Sequence, residues 1–102
     1  MSFIFAETPG MYGAAAAHEG LALQTGTAGA AQAGAAGVVV PPGIEEVSAA
    51  NVAKIQAYTA DVAATLAAAA GLQGMYGASV ASAGLGYDLT DAANAIPFTR
   101  IV

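Results

Sequence analysis

Apolar residues in the second half of the chain recur at helical spacing. Val52, Ile55, Val62, Leu66, Ala69, Leu72, Tyr76 and Val80 follow one another mostly at intervals of three or four, with Tyr58 close to the line. This predicts a helix with an apolar stripe from about residue 44 to residue 84. Glu45 and Glu46 fall in its first turn, where acids complement the helix dipole. Gly84 and Gly86 are expected to fray or end it.

The first half is patterned by alanine. Thr8-Pro9 is a helix-start signal, Thr as N-cap and Pro at the first helical position. No proline follows until Pro41, and the runs "AAAA" and "AAQAGAAG" favour helix. Gly20, Gly26, Gly29 and Gly34 each weaken it, by about 1 kcal/mol relative to Ala. "GVVVPPG" stops it, since Pro41 and Pro42 have no N–H and disfavour helix before them. The pattern predicts a helix over about 8–37, a turn at 38–43 and the second helix after it.

The fold class is therefore all-α, an antiparallel two-helix hairpin. Hydrophobic residues make up 57% of the 102, but 29 of them are alanine. Alanine forms helix at no side-chain entropy cost and buries little area. Two rods of about 45 and 60 Å touch along one line. Each keeps apolar surface that no third element can cover. Such a hairpin is marginal by itself, and a four-helix bundle completed by a partner resolves the problem. The surface expected to meet that partner is Val52, Ile55, Val62, Leu66, Leu72, Tyr76 and Val80. Gly71, Gly74 and Gly77 recur every third residue and would admit a close helix.

Charge narrows the partners. Seven acids face two bases, Lys54 and Arg100, for a net charge of −5. Without a basic patch, nucleic acid and anionic membrane surfaces are poor ligands. With no cysteine, disulfides and thiolate metal sites are excluded. "MSFIFAETPG" carries no basic residue, so a cleavable secretory signal is not expected. Val62 to Tyr87 is uncharged and long enough to span a bilayer. Its Ala/Gly content and its Thr65, Gln73, Ser79 and Ser82 favour a helix packed on helices. A membrane-associated helical protein and a self-associating bundle are the alternatives.

Catalytic chemistry finds little footing. His18 is the only histidine, and Glu19 beside it points elsewhere on a helix. The nearest approach to Gly-x-Ser-x-Gly is Gly77-Ala78-Ser79-Val80-Ala81, which lacks the last glycine and lies within a helix. No glycine-rich loop precedes Lys-Ser/Thr. Glu45 and Glu46 are adjacent and diverge on a helix. The expectation is no enzyme and no cofactor.

"MSFIFAETPG", "VVVPPGIEEVSAA" and "GYDLTDAANA" together resemble the landmarks of the mycobacterial PE domain over about residues 1–96, leaving 97–102 as a short tail. The family opens on Met-Ser-Phe-Val or similar with a Pro-Glu pair near position nine. Its second helix begins in an acid-Glu-Val-Ser-Ala stretch, matched by Glu46-Val47-Ser48-Ala49. It ends in Tyr-x-x-x-Asp/Glu, matched by Tyr87 and Asp91. The departure is Pro9-Gly10 in place of Pro-Glu, with Glu7 two residues ahead of the proline.

The resemblance implies a subunit that heterodimerises with a PPE protein as an elongated four-helix bundle. It implies export of the folded pair by a type VII secretion system to the cell surface, envelope or medium. Tyr87 and Asp91 would act with a Trp-x-Gly turn of the partner as the sorting signal. An EspG-type chaperone would bind through the PPE partner. With "IPFTRIV" as its last residues, the chain would be a bare PE domain.

Overall fold

The computed structural model describes residues 5–101, so Met1 to Ile4 of the first landmark lie outside the described residues. Two helices account for nearly all of them, α1 over Thr8–Gly37 and α2 over Glu46–Thr99. Among the described residues there is no strand.

The start of α1 differs slightly from the expected cap. The carbonyl of Glu7 accepts from the Met11 N–H at 3.1 Å, so Glu7 is the capping residue and Thr8 the first helical one. The Glu7 carboxyl group lies over Gly10, 3.6 Å from where a Cβ would stand. An acid thus reaches the first turn of α1 despite the glycine at position 10, where it complements the dipole.

α2 starts at Glu46 rather than near Ile44. Glu45 is its cap, because the Glu45 carbonyl accepts from Ala49 N–H at 3.3 Å. The connection therefore covers residues 38–45 rather than 38–43.

α2 also runs on to Thr99, well past the expected end near 84. Gly84 is buried beneath Tyr12, whose ring would lie 3.1 Å from a Cβ there. Packing against α1 offsets the roughly 1 kcal/mol that a helical glycine costs. Pro97 sits within the last turn, followed by Arg100 N–H to Pro97 O and Ile101 N–H to Phe98 O. Those short-range bonds close the helix in the usual tightened way.

Packing divides the chain into two units. In the unit built from residues 21–72, Gly29 faces Leu66 and Ala63, and Ala33, Ala36 and Gly37 face Gln56, Thr59 and Ala60. In the unit built from residues 5–20 and 73–101, Tyr12 faces Gly84 and Asp88, and Ala15 and His18 face Gly77. Within each unit the α1 and α2 segments are antiparallel.

The seams are made of small residues. Ala15, Gly77 and Gly84 are buried in one unit, and Gly29, Ala36 and Ser48 in the other. Among the described residues no side chain is fully buried. Of the evenly spaced glycines in α2, Gly77 alone receives α1. A Cβ there would sit 3.0 Å from the Ala15 carbonyl oxygen, whereas Gly71 and Gly74 have nothing within 4 Å.

Candidate functional site: the Tyr87–Asp91 face

α2 is continuous through Tyr87, Asp88, Leu89, Thr90 and Asp91. Tyr87 and Asp91, four residues apart, share a face. The sequence suggested a soft helix end here. Instead Asp91 lies clear of the last turn, outside the reach of the terminal dipole.

The two aspartates have different surroundings. Asp88 Oδ2 accepts a 2.7 Å hydrogen bond from the Tyr12 hydroxyl. The bond lifts the Tyr12 phenol above its usual value, with desolvation and the nearby carboxylate charge acting in the same direction. Tyr12 reaches Asp88 by lying across Gly84, one turn earlier on α2. Tyr87 and Asp91 are exposed and have no side-chain hydrogen bond or ion pair among the described residues. A structural role therefore accounts for Asp88 and leaves Tyr87 and Asp91 displayed.

The Glu46-Val47-Ser48 landmark has a local structural function. Ser48 is buried, and its hydroxyl donates to Glu45 Oε1 in a short contact. That bond, followed by one from the Glu45 backbone, holds the Glu45 carboxyl below its usual range. The carboxylate folds back over Gly43, where a Cβ would collide with it. Val47 is exposed. Pro9, the matching landmark on α1, is the second helical residue and also exposed.

The expected partner-facing stripe is only partly free. Around residues 52–72, Val52, Val62 and Leu66 are half-buried, Leu66 against Gly29, while Ile55 and Leu72 are exposed. In the other unit Val80 is half-buried and Tyr76 is exposed on one side. The other side of Tyr76 meets the His18 ring edge-on, with centroids 4.6 Å apart. His18 thus packs as part of the helix seam, with Nδ1 buried and lacking a hydrogen-bond partner. Exposed Met75, Leu85, Leu89 and Ile96 lie off the stripe. The apolar surface of this end of α2 therefore goes round the helix.

A hollow of about 340 Å³ lies between Ala33, Ala36 and Gly37 of α1 and Gln56, Thr59 and Ala60 of α2. The Thr59 hydroxyl already donates to Ile55 O at 2.8 Å. This leaves the Gln56 amide and, as an acceptor, the Thr59 oxygen as the polar groups that the lining side chains can offer. No group of three His, Cys, Asp or Glu residues among the described residues could hold a metal ion. None of the described helices is long and apolar enough to cross a membrane.

Sequence reasoning singled out Tyr87 and Asp91 by their spacing, beyond the expected helix end, and missed the Tyr12–Gly84–Asp88 contact. Tyr12 and Asp88 are separated by 76 positions, and no local pattern joins them.

No curated protein and no solved structure matches the chain. The model of the PE family matches residues 4–94. That match takes in α1 and α2 as far as residue 94, with the Glu46-Val47-Ser48 helix start and the Tyr87–Asp91 face, and the chain belongs to the PE family.

Proposed function

We propose that this chain is a non-enzymatic subunit that pairs with a PPE-family protein and is exported with it, folded, by a type VII secretion system. The observation that carries the reading is the makeup of the seams. Their buried residues are glycine, alanine and serine, while Leu72, Met75, Leu85, Leu89 and Ile96 remain exposed. A helix apolar on several sides normally lies inside a larger assembly. Two further helices would cover those side chains and complete a four-helix bundle. Ile55, Leu72 and Tyr76, with the shoulders of Val52, Val62, Leu66 and Val80, form the surface offered to that partner.

Tyr87 and Asp91 are the export signal in this reading. They are exposed and free of the contact that occupies Asp88. An EspG-type chaperone would engage the pair through the PPE subunit. The destination is the cell surface, the envelope or the medium.

Co-expression with PPE candidates tests the pairing. The expected result is a one-to-one complex by size-exclusion chromatography with light scattering, and aggregation of the chain expressed alone. A monodisperse, cooperatively unfolding monomer of the isolated chain would overturn it.

A further inference from the structure

The connection between the helices has an unusual surface for a loop. Val38, Val40 and Ile44 are 77%, 76% and 108% exposed, and Val39 and Val47 are exposed beside them. No side chain from Val38 to Ile44 carries a polar atom. Loops in water are ordinarily rich in polar residues that satisfy the backbone.

The backbone is equally poor in free donors. Val38 and Val39 N–H donate to Ala35 and Ala36 carbonyls at 3.4 and 3.3 Å. Pro41 and Pro42 have no N–H. Only Val40, Gly43 and Ile44 keep an N–H with no backbone partner among the described residues. Hydrocarbon penalises each unpaired donor and acceptor, so the three free N–H groups and the carbonyls of this segment stay at the wet headgroup level while the exposed Val38, Val40 and Ile44 side chains reach past it. Protein grooves that take extended segments draw much of their affinity from backbone hydrogen bonds, and this segment has few N–H groups to give.

Charge selects among apolar surfaces. Glu45 and Glu46 follow directly, and no cation occurs before Lys54. An anionic lipid surface would repel this end, whereas an uncharged one would not. We infer that residues 38–44 form an apolar tip whose side chains insert among the acyl chains of an uncharged lipid surface. The contact is peripheral, and the acids at 45 and 46 mark the headgroup level where insertion stops.

The inference concerns this chain's own tip and goes beyond the pairing proposed above, which supplies only the sample. The purified pair is mixed with phosphatidylcholine vesicles and floated on a density gradient. Pair integrity is read separately by size exclusion, so loss of pairing and loss of lipid binding give different results. The pair should float with the vesicles, weakly affected by salt and less well when phosphatidylglycerol is included. Val40→Asp with Ile44→Asp should lower vesicle binding more than tenfold while the pair stays intact. Failure of the unaltered pair to float, or flotation of the double variant at the original level, would overturn the inference. So would shielding of a fluorophore at Val40→Cys by the protein partner before lipid is added.

Discussion

Tyr12 of α1 donates its hydroxyl to Asp88 of α2 at 2.7 Å while its ring covers Gly84. This relationship sorts an otherwise ambiguous run of polar residues. Asp88 serves contact between the helices. Tyr87 and Asp91, on the same turn and the next, carry no such duty. Glycine at 84 lets the ring lie this close, because a Cβ would stand 3.1–3.3 Å from it and the ring would have to give by a few tenths of an ångström.

The contact has a pH signature. The bond to Asp88 raises the Tyr12 phenol above the usual value near 10. A raised folded-state value favours folding while the phenol is protonated, below its unfolded value, and that stabilisation is lost as pH rises through the folded value. The pair is exposed, so solvent screening keeps the effect small. Tyr12→Phe should lower the thermal midpoint slightly at neutral pH and remove part of the alkaline loss of stability. Melting curves of the co-expressed pair followed by circular dichroism between neutral pH and the tyrosine range test this. Identical alkaline profiles for the two proteins would refute the role of the bond.

Glycines in α2 should separate into two kinds. At Gly77 a methyl group would meet the Ala15 backbone oxygen at 3.0 Å and His18 Cβ at 3.2 Å, and neither can swing aside as a flexible side chain would. Gly77→Ala should destabilise by about 1–3 kcal/mol, the range for overpacking a close contact. Gly71 is exposed with open space around it. Gly71→Ala should gain about 0.5–1 kcal/mol from helix propensity. Chemical denaturation of the two variants, each as the co-expressed pair, should show midpoints displaced in opposite directions.

Local signals in the sequence located α1 and the connection to within a few residues, because proline, glycine and alanine act there through backbone sterics. The far end of α2 was not legible. Gly84 and Gly86 read as helix breakers until Tyr12, 76 positions away from Asp88, is seen to pack across Gly84. Even spacing likewise marked Gly71, Gly74 and Gly77 as equivalent, although a single one faces α1. Tyr87 and Asp91 lay beyond the expected helix end near 84, and their four-residue spacing gives a common face because the helix continues through them. Which aspartate was committed to packing depended on the distant tyrosine.

At the start of α2, Ser48 and Glu45 predict acid sensitivity. The Ser48 hydroxyl holds the Glu45 carboxyl below its usual value of 4.5. A lowered folded-state value favours folding while the carboxylate is charged, above the unfolded value, and that support is lost as pH falls through the folded value. Glu45 is solvent-exposed, which limits the size of the effect. Ser48→Ala should lower the midpoint near neutrality and flatten its decline on acidification. Acid titration of the co-expressed pair followed by far-ultraviolet circular dichroism checks it, and an unchanged titration curve would assign Ser48 a packing role alone.

The displayed face predicts a separation between folding and export. Tyr87→Ala and Asp91→Ala remove exposed groups that have no side-chain hydrogen bond or ion pair among the described residues, so helix content and partner binding should be retained. Surface substitutions of this kind usually change stability by less than about 0.5 kcal/mol. Export should nevertheless fall to background in the double variant if the two groups are read together. Asp88→Ala supplies the control. It removes equal charge one helical step away and breaks the Tyr12 bond, yet leaves the proposed signal intact. Secreted and cellular fractions compared by immunoblot should show Asp88→Ala exported and the double variant retained, with both still recovered as the pair from the cells. Normal secretion of the double variant would remove Tyr87 and Asp91 as the signal. Equal retention of Asp88→Ala would mean that the Tyr12 contact, or acidity across the whole segment, governs export instead.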